Sequence, residues 1–238
     1  MAVFLFVVAL QGLSKGGLSG IGMMSMPLLI LVMPPAAAAG LMLPILMIQD
    51  AFSVWLYRGH WSWSNLRVLL PGAMMGIAIG FVLFATLPHK PLLGILGVIT
   101  LSFAVHGLIR RRAPAKTPRT GVGVFLGAVS GFTSTILHQG GPPFQIYLLP
   151  QKLARDTFVG TSVLFFAIVN AIKLPGFIWL GQLTREGVIV AAVSAPFALG
   201  MTFLGRALVS RIAPERFYII IYVLLAAVGV KLLVDAFI

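Results

Sequence analysis

The sequence predicts an all-helical integral membrane protein made of two inverted repeats, each a re-entrant helical hairpin followed by three transmembrane helices. Composition is the first reason. Of 238 residues, 59% are hydrophobic and 9% charged, and mean hydropathy is +1.05. Soluble chains carry about 25% charged residues, and one this apolar would aggregate through its exposed patches. Run length is the second: the apolar stretches are too long and continuous for barrel strands. The third is a pattern of glycine, proline and polar residues that occurs twice.

Taken in order, the chain opens with a hairpin over 2–33, its apolar runs 2–14 and 23–33 joined by a Gly-rich break. Neither run reaches the roughly 20 residues a crossing needs. The N-terminal stretch MAVFLFVVAL has no basic n-region and no cleavage site, so it reads as mature helix rather than a signal peptide. Three spans follow at 35–57, 66–87 and 91–109, closing a first repeat over 1–109. The stretch 110–119, RRRAPAKTPR, is a cytoplasmic linker. A second repeat over 120–238 then has a hairpin at 120–150, with apolar runs 120–137 and 143–150, and spans at 157–180, 187–205 and 215–236.

The duplication is read position by position. Gly12, Gly16 and Gly20 recur as Gly123, Gly127 and Gly131 at an offset of 111. Pro27 matches Pro143 at 116, and Gly40 and Asp50 match Gly160 and Asn170 at 120. Gly59 with Gly181, Pro71 with Pro196, Gly80 with Gly205 and Pro88 with Pro214 continue the drift in one direction, as small loop insertions produce. Charge decides the orientation of the copies. If each hairpin returns to its own side, Arg58, Arg67, the linker, Lys152, Arg155, Arg206, Arg211 and Arg216 share one side, leaving Lys90 and Arg185 on the other. If each hairpin crosses instead, that asymmetry collapses. The positive-inside rule favours the first arrangement, which inverts the copies and puts both termini outside.

Several function classes fall away. The net charge of +12 comes from residues between apolar runs rather than a basic, aromatic-laced patch, so nucleic acid is not a partner. With no cysteine there is no disulfide or thiolate chemistry. No histidine pair has the i, i+4 spacing of a metal site, no ATP-binding motif occurs, and no cofactor is expected. His60, His89 and His106 read as structural or interfacial, as does the pair Lys231 and Asp235. Gly17-Leu18-Ser19-Gly20 matches the GxSG of intramembrane serine proteases. A serine nucleophile needs a positioned histidine, and the sequence assigns none, so a hydrolase on Ser19 stands only as a remote alternative.

The candidate substrate-binding residues come from two sources. The hairpin tips, Leu13 to Pro27 and Val129 to Pro143, mix glycine, hydroxyl and proline residues at membrane depth, where unwound backbone must line a cavity or be buried. Half-helix ends aimed at the midplane suit an anion. The tips supply Lys15, Ser19, Gly20, His138, Gln139, Gly140 and Gly141. Polar residues inside spans supply the rest: Gln49, Asp50, Asn170 and, one turn later on the same face, Lys173. Two readings stand for Asp50 and Lys173, a functional pair or a structural brace between the copies. For Gly72, Gly76 and Gly80, close helix packing is the better reading.

Taken together, GLSGIGMMSMPLL and GGPPFQIYLL, the helix ends WLYRGHWSW and IWLGQLT, the Pro/Gly helices LLPGAMMGIAIG and VSAPFALGMTFLG, and the starts LPHKPLLGILG and IAPERFYIII resemble the sulfite exporter TauE/SafE family along essentially the whole chain. That resemblance implies a bacterial inner-membrane transporter of small sulfur-containing anions, with the tip segments containing Ser19, Gly20, His138, Gln139, Gly140 and Gly141 lining the pathway. Many members continue the first tip as a glycine cluster, where this chain has Met23, Met24 and Ser25; the added bulk suits a larger or more apolar acid. The expected partners are a small anion, the lipid bilayer and a coupled proton carried by Asp50 or His138, unless the anion gradient alone supplies the drive. The expected cycle is alternating access with the anion between the hairpin tips. The alternatives are another small solute, a cation held by Asp50 and tip carbonyls, or a non-transporting scaffold subunit.

Overall fold

A computed structural model describes residues 2–237 except Gly20, Leu31, Pro34, 84–88, 110–114, Thr117, Leu137 and Gln139. Most of the linker and the expected mate Pro88 therefore lie outside the described residues, as do the side chains of Met23 and Met24. The described residues form ten α-helices and two short 3-10 segments, with no strand among them. The helices are α1 (Ala2–Lys15), α2 (Ser25–Ile30), α3 (Pro35–Leu56), α4 (Trp63–Leu83), α5 (His89–Ile109), α6 (Thr120–Ile136), α7 (Gly141–Leu148), α8 (Arg155–Trp179), α9 (Arg185–Ser210) and α10 (Pro214–Phe237). Each apolar run read as a span overlaps one helix, the run 66–87 as far as Leu83. Five of them, α3, α4, α8, α9 and α10, are long and apolar enough to cross a membrane, and α5 contributes a shorter apolar stretch, Leu93–Ile109. Large apolar side chains such as Val82, Val193, Phe203 and Phe237 stand exposed, which suits lipid rather than water. Trp55, Trp63 and Trp179 are exposed at helix ends, the depth at which amphipathic rings settle.

The chain divides into two compact units that cut across its halves: residues 1–61 with 159–211, and 62–158 with 212–238. In the first unit, α1 ends at Gly16 and Gly17, the latter at φ +133°, where only glycine is at ease. The chain then doubles back. Gln11 Nε2 donates to the Gly22 carbonyl at 2.9 Å and Ser25 Oγ to that of Val7 at 3.4 Å, so α2 returns antiparallel along α1. Gly12 lies against Ala198 and Thr202, and Gly16 against Thr202 and Arg206, so α1 and α9 run in the same direction with their backbones nearly touching. Helix α3 runs antiparallel to α8: Gly40 faces the Gln182 carbonyl, Asp50 meets Asn170, and Gly160 faces the His60 carbonyl.

The second unit repeats these relations with other elements. Ser130 Oγ donates to the Gly140 carbonyl at 2.7 Å, and Gly123 lies against Tyr147, so α7 returns along α6. Gly72 and Gly76 face the carbonyls of Val124 and Ala128, while Gly127 and Gly131 face those of Leu69 and Ala73, so α4 and α6 run parallel and in close contact. This is the packing expected for the glycine ladder. Small residues are how membrane helices gain contact without a hydrophobic drive between them. Helices α5 and α10 pair antiparallel, with Gly97 near Leu233 and Gly107 near Tyr222. One difference from the sequence expectation concerns the turns. The glycines align at an offset of 111, yet α1 breaks at Gly16 while α6 continues through Gly127 and Gly131 to Ile136. Packed against α4, those glycines are stabilised as helix despite their low propensity.

A methyl group at position 40 or 160 would strike the facing carbonyl, whereas Gly200 has open space. Gly40→Ala and Gly160→Ala are each expected to destabilise the detergent-solubilised protein by about 1–3 kcal/mol. Gly200→Ala is neutral or stabilises by about 1 kcal/mol. Thermal unfolding of the three purified variants checks this.

Candidate functional site

Lys15 is the last residue of α1, where the helix dipole favours a cation. Its side chain does not snorkel outward. The ammonium forms an ion pair with Asp50 Oδ1, with side-chain exposures of 11% and 3%. The other carboxylate oxygen accepts a hydrogen bond from Asn170 Nδ2 at 2.7 Å. Both Asp50 oxygens are thus committed, one to each neighbouring helix. The Phe166 ring lies 5.5 Å from Lys15 Nζ and adds a cation–π contact from α8. Lys173, three residues past Asn170 on the same face, is fully buried and within electrostatic range of both Lys15 and Asp50.

Burying charge is costly unless each ion is paired and its remaining polar atoms bonded. Here the Asp50 carboxylate pairs with Lys15, and Lys173 lies within electrostatic range of it. Gln49 is also buried; its amide donates to the Val8 carbonyl at 3.2 Å and its oxygen has no partner among the described residues. Ser19 is buried within the first tip, and Gly20 lies outside the described residues.

The remaining predicted residues belong to the second unit. His138 adopts a left-handed backbone at φ +54°, a conformation costing about 1 kcal/mol or more for a non-glycine residue. The Gly140 carbonyl is taken up by Ser130, and Gly141 begins α7. That start carries Pro142 and Pro143, which lack N–H groups, so the positive end of α7 offers few donors to an anion. Gln139 lies outside the described residues. Among the described residues no group of three or more His, Asp or Glu gathers as a metal would require.

The structure therefore brings together Lys15, Asp50, Asn170 and Lys173, with Gln49 next to Asp50 in the chain, in the first unit; His138, Gly140 and Gly141 belong to the second. Sequence reasoning missed three neighbours. Phe166 is one. The others are Tyr57, whose hydroxyl donates to the Gly16 carbonyl at 2.5 Å, and Arg206, whose guanidinium stacks on the Tyr57 ring at 4.6 Å. Tyr57 had a signal: it lies seven residues after Asp50, two turns along the same helix face.

This chain belongs to the sulfite exporter TauE/SafE family, whose model matches residues 4–232. It is similar to the probable sulfite/organosulfonate exporter TauE of Cupriavidus necator, at 23% identity over 184 residues, covering 74% of this chain and 70% of that protein. No solved structure matches. The chain is a membrane-embedded transporter and not an enzyme, which overturns the serine-hydrolase alternative on Ser19.

Removing one partner of a buried ion pair leaves the other charge unpaired. Asp50→Ala is expected to destabilise the protein by about 3–5 kcal/mol. The double variant Lys15→Met/Asp50→Leu, which removes both charges, is expected to recover most of that loss. A double-mutant cycle of unfolding in detergent reads the coupling.

Proposed function

We propose that this member of the family is a secondary transporter that moves a small sulfur-containing or other organic anion, such as sulfite or a sulfonate, across the bacterial inner membrane by alternating access. The observation that carries the reading is the charge count around Asp50. Lys15 pairs with Asp50, and the fully buried Lys173 lies within electrostatic range of both; a group richer in cations than in carboxylates suits an anion. A cation site would have the opposite ratio. Sulfite and organosulfonates appear in the names of the family and the relative, and both are anions, the charge such a group would attract. Lys15, Asp50, Asn170 and Lys173, with Gln49, are assigned to the anion. Ser19, Gly20, His138, Gln139, Gly140 and Gly141 are assigned to its pathway, His138 with added support from its strained backbone.

The proposed architecture is two inverted copies over 1–109 and 120–238, each with three crossings and a hairpin that returns to its own side, joined by the cytoplasmic linker 110–119. Its support lies in α3 and α8. Gly40 faces Gln182 while Gly160, the residue aligned with Gly40, faces His60. Between these contacts Asp50 meets Asn170, the residue aligned with it. Reciprocal contacts that close on a position and its own counterpart are the signature of a two-fold axis, and the antiparallel sense of α3 and α8 suits an axis in the membrane plane. The drive is the anion gradient or a coupled proton, with Asp50 or His138 as carrier.

Proteoliposomes loaded with labelled sulfite and short-chain sulfonates test the function. Wild-type protein is expected to transport them, and Lys173→Ala and His138→Ala to lower the rate about tenfold or more with folding intact, the equivalent of about 1.4 kcal/mol. Wild-type rates in both variants would remove the site assignment. Asp50→Asn keeps the size of the side chain and raises the positive excess by one charge. It is expected to shift preference from singly charged sulfonates toward doubly charged sulfate, read as the ratio of the two fluxes.

A further inference from the structure

The first tip is held by a contact that the transport reading leaves unused. Helix α1 ends within one peptide unit of Lys15, and its terminal carbonyls need partners from outside the helix. Gly12, Leu13 and Ser14 receive theirs from the N–H groups of the turn itself, those of Gly16, Leu18 and Gly17. The Gly16 carbonyl is served by the Tyr57 hydroxyl at 2.5 Å, from a side chain only 2% exposed. The Gly16–Gly17 peptide, one residue past Lys15, is thus anchored to the residue that follows α3, two turns beyond Asp50.

Tyr57 is clamped in turn. The Arg206 guanidinium lies over its ring at 4.6 Å and donates to the Leu56 carbonyl, the last of α3. The backbone around Arg206 packs directly on Gly16, and Gly17 lies against Tyr57 and Val209. One arginine therefore joins the ends of α1, α3 and α9. Arg206 is only half-buried, so water can replace its bonds at modest cost. Tyr57, sealed beneath it, has no such access.

We propose that Tyr57 and Arg206 form a latch: they position Lys15 against Asp50 through the Gly16 carbonyl and close this end of the anion site, which opens when Arg206 leaves the Tyr57 ring. Both are positioning residues, since neither touches Lys15 or Asp50. The idea rests on the transporter reading for its purpose, and its test does not need the substrate. Ser53 is buried between Asp50 and Tyr57 on α3, and the chain has no cysteine. A single Ser53→Cys therefore reports access to this end of the site through its rate of labelling by a small impermeant thiol reagent. Ser194→Cys, at a buried position in the first half of α9, is the control.

In the Ser53→Cys background, Tyr57→Phe removes one hydroxyl and Arg206→Ala the clamp. Each is expected to raise labelling of the thiol at position 53 about tenfold, the weight of one buried hydrogen bond. The same changes in the Ser194→Cys background are expected to alter labelling little. Arg206→Lys keeps the charge but not the planar stack, and is expected to fall between wild type and Arg206→Ala. In transport, Tyr57→Phe is expected to change the maximal rate at least about fivefold while KM stays within about twofold. Unchanged labelling at position 53 overturns the latch, and so does equal acceleration at both positions, which signals general loosening. Faster labelling at position 53 alone, in a protein that moves no anion, upholds the latch and removes the transporter reading.

Discussion

A carboxylate buried among apolar helices constrains everything around it. Asp50 is only 2% exposed, and an unpaired charge at that depth would cost several kcal/mol. Its two oxygens accept from α1 and α8, so the carboxylate ties both helices to α3. The consequence runs outward. Lys15 reaches Asp50 because α1 stops at the Gly16–Gly17 break, where the turn amides take up carbonyls of the last turn of α1 and Tyr57 takes up that of Gly16. The closeness of α1 to α9, which carries Arg206, depends on the missing side chains of Gly12, Gly16 and Gly205. Glycine packing, helix termination and ion pairing are therefore one problem solved together.

The helices were largely legible because the bilayer imposes a length and an apolar composition on any crossing segment. Every expected span lands on a helix, with ends differing by a few residues; α9, for instance, extends to Ser210 where its apolar run stops near 205. The return arms were legible too. Ser25 and Gly141, aligned at the offset given by Pro27 and Pro143, both begin helices. The turns before them were not. Glycine breaks α1 but is tolerated in α6, because what decides a membrane glycine is the partner helix rather than propensity.

The same distinction holds at the site. Asp50, Asn170 and Lys173 were recognisable because polar residues inside spans need a reason. The partner of Asp50 was not, since spacing along α8 pointed to Lys173 while the direct ion pair comes from Lys15, 35 residues earlier. Arg206 was invisible, and the spacing of Tyr57 from Asp50 easy to pass over, for a related reason. A tyrosine and an arginine near helix ends are ordinary interfacial residues in any membrane protein, and only the fold brings them over the Gly16 carbonyl.

If the chain arose by duplication, the inequality of matched positions has a physical cause. Asp50 and Asn170 would descend from one residue, and a position on a two-fold axis meets its own copy. Two aspartates there would set like charges within hydrogen-bonding distance, so only one could be ionised. Two asparagines would leave Lys15 with no anion to pair with. One of each gives a single fixed charge with a donor to hold it, which is the arrangement present at 2.7 Å. The neighbouring positions diverge in the same sense. Lys173 aligns with Ser53 and Lys15 with Leu126, so each added cation lies in one copy alone. On that reading a two-fold scaffold would hold an asymmetric charge cluster, its lysines standing at positions whose aligned residues, Ser53 and Leu126, are uncharged.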